Sequence, residues 1–171
     1  MASLANINNI HEEFKSYDIE FYELHIKTIV TADPETVNCW ISENLHENFF
    51  LGLDTEWKIP INVSKPRSHD QHVTLLQLCT ENRCLIFQLS HAPEIPRSLP
   101  GFLGDSNVTF AGVGVKQDAE KLMKDWGLSA GKTMDVAFSA AEKYGQSDYK
   151  CKGLKCFVEI LLGMKIVSQF E

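Results

Sequence analysis

The sequence predicts an α/β domain in which helices pack on a mixed β-sheet. Three observations lead there. Residues 49–57, 72–80 and 83–90 are short apolar runs in close succession, the pattern of strands in meander order. From residue 107 onward, strand-like runs alternate with segments of helical period. The chain's 171 residues, 44% of them hydrophobic, suffice for one globular unit with its own core.

Taken in order, residues 1–18 are polar and Asn-rich and read as an N-terminal arm, leaving 19–171 as the domain. EFYELHIKTIVT (20–31) alternates and is rich in β-branched residues, which predicts one strand. Asp33 followed by Pro34 is a helix start, and Val37, Trp40, Ile41 and Leu45 recur at helical spacing to about His46. FFLGLDTEW (49–57), HVTLLQLCT (72–80) and RCLIFQLS (83–90) are the three meander strands, the last two joined by the tight connection TENR. KIPINVSKPRSHDQ (58–71), with its prolines and basic residues, and HAPEIPRSLPG (91–101) read as surface loops. NVTFAGVGV (107–115) is a buried-strand pattern. It feeds KQDAEKLMKDWG, a helix with Ala119, Leu122, Met123 and Trp126 on one face and Gly127 as its cap. TMDVAFSAAEKYG (133–145) gives a short strand or turn and a helix, and GLKCFVEILLGM (153–164) a last helix with Leu154, Phe157, Val158, Leu161 and Leu162 apolar.

Bulk properties exclude several classes. A net charge of −7 argues against a protein that grips nucleic acid by general electrostatic attraction, so any such contact must be local or helped by metal ions. Cysteines at 39, 79, 84, 151 and 156 are odd in number and lack CxxC spacing, which fits reduced thiols in a cytoplasmic or nuclear protein better than a zinc site or disulfide framework. The start MASLANINNIHEE has no signal-peptide pattern, and no apolar run is long enough to span a bilayer, so no membrane partner is expected.

Asp54 and Glu56 are the first candidates for chemistry. Strand alternation puts them on one face while Leu53 and Thr55 take the other. Two carboxylates so close repel and raise each other's pKa unless a cation neutralises them, and hard oxygen ligands suit Mg2+ or Mn2+. A charged strand end entering a loop accounts equally well for the tripeptide alone. Asp118 lies in the first turn of a helix, where an acid also simply complements the helix dipole.

The order of the pieces is more specific. An apolar strand ending in Asp54-Thr55-Glu56-Trp57, the strand LLQLCT, AGVGVKQD opening a helix, and GLKCFVEILLGMK together resemble the DEDD-type 3′-5′ exonuclease domain of the Werner-syndrome-helicase and RNase D type. Within that family the chain is most similar to the small single-domain plant 3′-5′ exonucleases, some of which clear RNA fragments from the silencing complex. The resemblance covers about residues 49–166. It implies an RNase H-like fold with a mixed five-stranded sheet, and hydrolysis of terminal phosphodiesters at single-stranded RNA or DNA 3′ ends by two Mg2+ or Mn2+ ions. By that analogy Asp54 bridges both ions, Glu56 binds the ion that activates water, and Asp118 helps hold the second. Trp57, Leu75 and Gln77 would border the terminal base, and Lys58, Lys65 and Arg67 are candidate phosphate contacts. Trp57 reads as well as a core or rim aromatic, and the basic residues as solvated loop charges.

The resemblance lacks one part. The family's fourth acid lies in a Tyr-x-x-x-Asp helix after the leucine-rich helix, and here only MKIVSQFE follows Gly163. Tyr144 and Asp148 have the spacing but precede that helix, with Gly145 and Ser147 between them favouring a loop. The sequence therefore predicts a C-terminally truncated domain with exposed apolar surface on the sheet or on helix 153–163. Alternatives are a fourth acid from a neighbouring subunit of a homo-oligomer, and a catalytically impaired module that binds nucleic acid or a protein complex. Gly112 and Gly114 are expected to serve strand–helix packing and not a phosphate loop, His69 and His72 a surface loop, and Asp135 a helix cap.

Overall fold

The computed structural model describes residues 14–44, 50–58 and 71–166. It opens on an antiparallel hairpin, β1 (Phe14–Phe21) and β2 (Leu24–Thr31), in which Tyr17 opposes Thr28 and Ile19 opposes Ile26. The single strand expected at 20–31 is thus two strands. They turn at Tyr22, whose φ of 56° is left-handed. Residues 14–18, assigned to the arm, lie in β1. This strand is the sheet's outer edge and mostly exposed, so it has no buried face to impose the alternation that would separate it from a loose segment.

Asp33 starts helix α1 (Pro34–Asn44) as expected, its carboxylate accepting from the Thr36 backbone N–H and hydroxyl at 2.7 Å each. Val37, Trp40 and Ile41 point into the core. Leu45 and His46 lie outside the described residues. Then come β3 (Phe50–Lys58), β4 (His72–Cys79) and β5 (Arg83–Phe87), an antiparallel meander. The proline-rich stretch read as a loop contains a short helix α2 (Leu99–Leu103) that buries Leu99, Phe102 and Leu103. Five residues are too few to display a helical period.

The chain continues through β6 (Thr109–Gly112), α3 (Val115–Trp126), β7 (Lys132–Asp135), α4 (Val136–Tyr144) and α5 (Leu154–Leu162). Strand order is β1-β2-β5-β4-β3-β6-β7, with β2/β5, β3/β6 and β6/β7 parallel. The sheet has seven strands instead of five, because the first strand splits into a hairpin and the segment read as strand or turn at 133 is a strand. The main core joins one sheet face, including Leu51, Leu53, Leu76, Leu78, Leu85 and Phe87, to α1, α2 and α3.

On α3 the inward face carries Val115, Asp118 and Leu122, whereas Met123, expected inside, is 53% exposed. A smaller cluster joins Ala137 and Ala140 of α4 to Phe157 of α5. Phe157 is 3% exposed, but Leu154, Ile160, Leu161 and Leu162 are exposed, so the apolar surface expected on this helix is present. No helix among the described residues is long and apolar enough to cross a membrane.

Gly112 fixes how closely α3 approaches β3. A Cβ there would lie 2.5 Å from the Leu53 carbonyl oxygen and 3.3 Å from the Val115 Cβ, so the glycine serves close packing, as its sequence context predicts. Gly112→Ala is expected to destabilise the domain by about 1–3 kcal/mol, read as a lower midpoint in chemical denaturation at unchanged m-value.

Candidate active site

Strand β3 divides its side chains between two environments. Leu51, Leu53 and Thr55 are buried on the core side, and Asp54 and Glu56 are exposed on the other. Across the antiparallel ladder Asp54 opposes Gln77 and Glu56 opposes Leu75, so Gln77 and Leu75 share the acidic face. Lys58, exposed at the end of the strand, follows on that face by alternation. Lys65, Arg67 and His69 lie outside the described residues.

β6 pairs only with Phe50–Gly52 of β3, and α3 begins three residues after β6 ends. The first turn of α3 is thereby brought against the next stretch of β3. Asp118 sits there, 7% exposed, and its Oδ1 accepts a 2.6 Å hydrogen bond from the Thr55 hydroxyl. That hydroxyl in turn accepts from the Trp57 indole N–H at 2.6 Å. Burial pushes the Asp118 carboxyl up to about 6, and the negative charges of Asp54 and Glu56 add to the rise, while the Thr55 bond opposes it. Asp118 is thus a buried carboxylate in the first turn of α3 that feels both exposed ones.

Trp57 is not on the acidic face. It packs on the main core with Lys121 Nζ 5.7 Å from its ring centroid, which realises the core or rim alternative. Lys121 reaches Asp125 at 2.7 Å and also donates to the Gln71 carbonyl. Asp125 accepts from the Val73 N–H at 2.9 Å, and although burial alone would raise its pKa, the Lys121 and Val73 bonds hold it below the ordinary range. Sequence reasoning missed Thr55, Lys121 and Asp125. The i,i+4 spacing of the last pair was the available signal.

Other candidates fall outside the site. Asp135 caps α4, accepting from Ala137 N–H at 2.9 Å, and also takes the Gly114 N–H at 3.0 Å. Tyr144 ends α4, Gly145 reverses the chain at φ 65°, and Asp148 pairs with Lys152 at 3.1 Å, so the Tyr144–Asp148 spacing is not a helical turn. His72 lies 3.7 Å from Asp125. On the Asp54 face, Cys79 and Cys84 oppose each other with sulfurs 2.6 Å apart. Donation to Cys84, burial and the nearby Asp54 push the Cys79 thiol up, and accepting that bond brings Cys84 down.

The oxygen donors of Asp54, Glu56 and Asp118 are of the kind that suits a hard divalent cation, whose charge would offset the burial and, to a lesser degree, the repulsion that raise Asp118. Asp54 and Glu56 present two donors together, whereas Asp118 is engaged by Thr55. Among the described residues no three His, Cys, Asp or Glu side chains converge into a metal-binding group.

The sequence matches the 3′-5′ exonuclease family over residues 13–170, nearly the whole chain. The chain belongs to this family. Among its relatives, the Drosophila melanogaster exonuclease 3′-5′ domain-containing protein 2 is 38% identical over 111 residues, covering 62% of this chain and 18% of that protein. An Arabidopsis thaliana 3′-5′ exonuclease is 31% identical over 120 residues, covering 70% and 40%. The mouse bifunctional 3′-5′ exonuclease/ATP-dependent helicase WRN is 32% identical over 104 residues, covering 60% and 7%. The aligned region is thus less than half the length of each relative. The crystal structure of the EXD2 exonuclease domain superposes with a TM-score of 0.57 at 22% identity, covering 84% of this chain and 73% of that one. The fold is that of this RNase H-like exonuclease class.

Because folding raises the Asp118 pKa, the folded metal-free protein binds a proton more tightly than the unfolded chain. Asp118 therefore lowers stability as pH rises from about 4 to about 6. Asp118→Asn is expected to remove that slope and to stabilise metal-free protein by about 2–3 kcal/mol at pH 7.5, with little effect at pH 4, in paired urea denaturations.

Proposed function

We propose that the domain is a metal-dependent 3′-5′ exonuclease that hydrolyses the terminal phosphodiester of single-stranded nucleic acid, with RNA as the substrate class implied by the resemblance to plant exonucleases. The observation that carries the proposal is the pair Asp54 and Glu56 on the exposed face of β3, beside buried Asp118, in a member of the exonuclease family. The related EXD2 exonuclease domain has been soaked in Mn and Mg, which favours a divalent ion here.

Asp54 and Glu56 would hold the ions, with Asp118 as the third carboxylate. When bound, a pair of such ions stabilises the attacking and leaving oxygens of an in-line displacement and lowers the pKa of the attacking water. The chain's own residues do the rest. Gln77 and Leu75 flank the acidic pair and border the terminal nucleotide. Lys58 offers a point charge to an incoming phosphate. Thr55 fixes the Asp118 carboxylate through Oδ1 and ties its orientation to Trp57. Water adds across the terminal P–O bond, releasing a mononucleotide and leaving a strand one residue shorter.

A second reading, a module of this fold that binds nucleic acid without cutting it, draws on the engagement of Asp118 by Thr55 and on the lack of a three-group cluster among the described residues. One assay separates the two. A 5′-labelled single-stranded RNA and its DNA counterpart are incubated with the protein in Mg2+ or Mn2+. The exonuclease reading expects a ladder of shortened products that EDTA abolishes and that Asp54→Ala slows by at least about 100-fold. Intact substrate with metal-independent retention of the strand would support the binding module. Cleavage unchanged in Asp54→Ala would remove the β3 acids from the reaction.

A further inference from the structure

We infer that Cys79 and Cys84 form a modification site, a dithiol that exchanges with low-molecular-weight disulfides of the glutathione class to close a cross-strand disulfide. The inference rests on hairpin geometry and is independent of the nuclease reading.

The Thr80 N–H donates to the Arg83 carbonyl at 2.8 Å and closes the β4–β5 turn, so residues 80 and 83 are a hydrogen-bonded pair. Pairs alternate along an antiparallel ladder, which makes the next rung, Cys79 opposite Cys84, a non-hydrogen-bonded one. At such rungs Cα atoms come to about 4.5 Å, inside the range of about 4.4–6.8 Å that a disulfide spans. The sulfurs are already 2.6 Å apart, against about 2.05 Å in the bond. Neither strand has to move far.

Access to the pair is through Cys79. The residue opposing it on β3 is Gly52, and a Cβ there would lie 3.5 Å from that of Cys79, so the opposing residue puts no side chain over the rung. Cys79 is half-buried, while Cys84 is 8% exposed. The thiols lie on the face that carries Asp54, two rungs along the ladder from the Asp54–Gln77 pair. The remaining cysteines, Cys39 on α1, Cys151 and Cys156, are on other elements.

The exchange balances. One thiolate of the pair attacks a sulfur of the small disulfide, forming a mixed disulfide and releasing one small thiol. The second protein thiol then attacks the mixed disulfide at the protein sulfur and releases the other small thiol. Two protein S–H bonds and one S–S bond are lost, and one protein S–S bond and two small-molecule S–H bonds form. The protein gives up two electrons and two protons.

The test is peptide mapping by mass spectrometry of the full chain equilibrated in glutathione buffers of increasing oxidised-to-reduced ratio and then alkylated. Trypsin cuts after Arg83, so the disulfide joins two peptides that the reduced protein releases separately. The inference expects the joined species to grow with that ratio, to vanish with dithiothreitol, and to be absent from Cys79→Ser, whose Cys84 is alkylated or glutathionylated instead. Wild-type protein in which both thiols stay alkylated at every ratio, or carry stable glutathione, or bond to other cysteines instead, would overturn it. The wild-type arm decides without any variant having to fold.

Discussion

Strand β3 has to satisfy the core and carry the charges at once, and the period-two alternation of a strand is what permits both. Leu51, Leu53 and Thr55 point toward α1, α2 and α3, while Asp54 and Glu56 point out between them. A shift of one residue in the β3–β4 register would bury both carboxylates without counter-charges and expose two core leucines. The Leu53–Leu78 and Thr55–Leu76 rungs, all buried, therefore hold the acidic face in place as surely as they build the core. Gly112 adds the next constraint, since it lets α3 come close enough for Asp118 to touch β3.

Thr55 connects these two parts. It lies on the core side of β3, between the two exposed acids, and its hydroxyl bonds Asp118 and Trp57. The three carboxylates are consequently held by opposite sides of one strand. Asp118 senses Asp54 and Glu56 through charge while its Oδ1 is held by Thr55. Burial first, and the two neighbouring charges second, raise the Asp118 carboxyl above its ordinary range.

Much of this was legible in the sequence. The three meander strands, the Asp33 cap, the α3 start and the Gly127 end follow from alternation, capping chemistry and the 3.6-residue period, which are local properties. The Asp54–Glu56 face follows from strand parity, whereas Gln77 and Leu75 were implied only by the family resemblance. The features that escaped are those set by tertiary position. β1 is an exposed edge with no buried face, α2 is too short to show a period, and Met123 lies just off the buried stripe that Val115, Asp118 and Leu122 define. Trp57 sits across the strand from the acids although it directly follows one of them in sequence. The Cys79–Cys84 contact has no spacing signature, since five residues apart becomes adjacent only once the TENR turn sets the rung.

The proposed divalent-metal site is the pair of outward carboxylates on β3. Titration of Mn2+ followed by electron paramagnetic resonance tests it directly, with free Mn2+ measured in wild-type protein and in an Asp54→Asn/Glu56→Gln double variant whose fold is checked by circular dichroism. Saturable Mn2+ uptake by the wild type, lost in the double variant, is the expected result. Uptake of equal strength and stoichiometry in the folded double variant would contradict it.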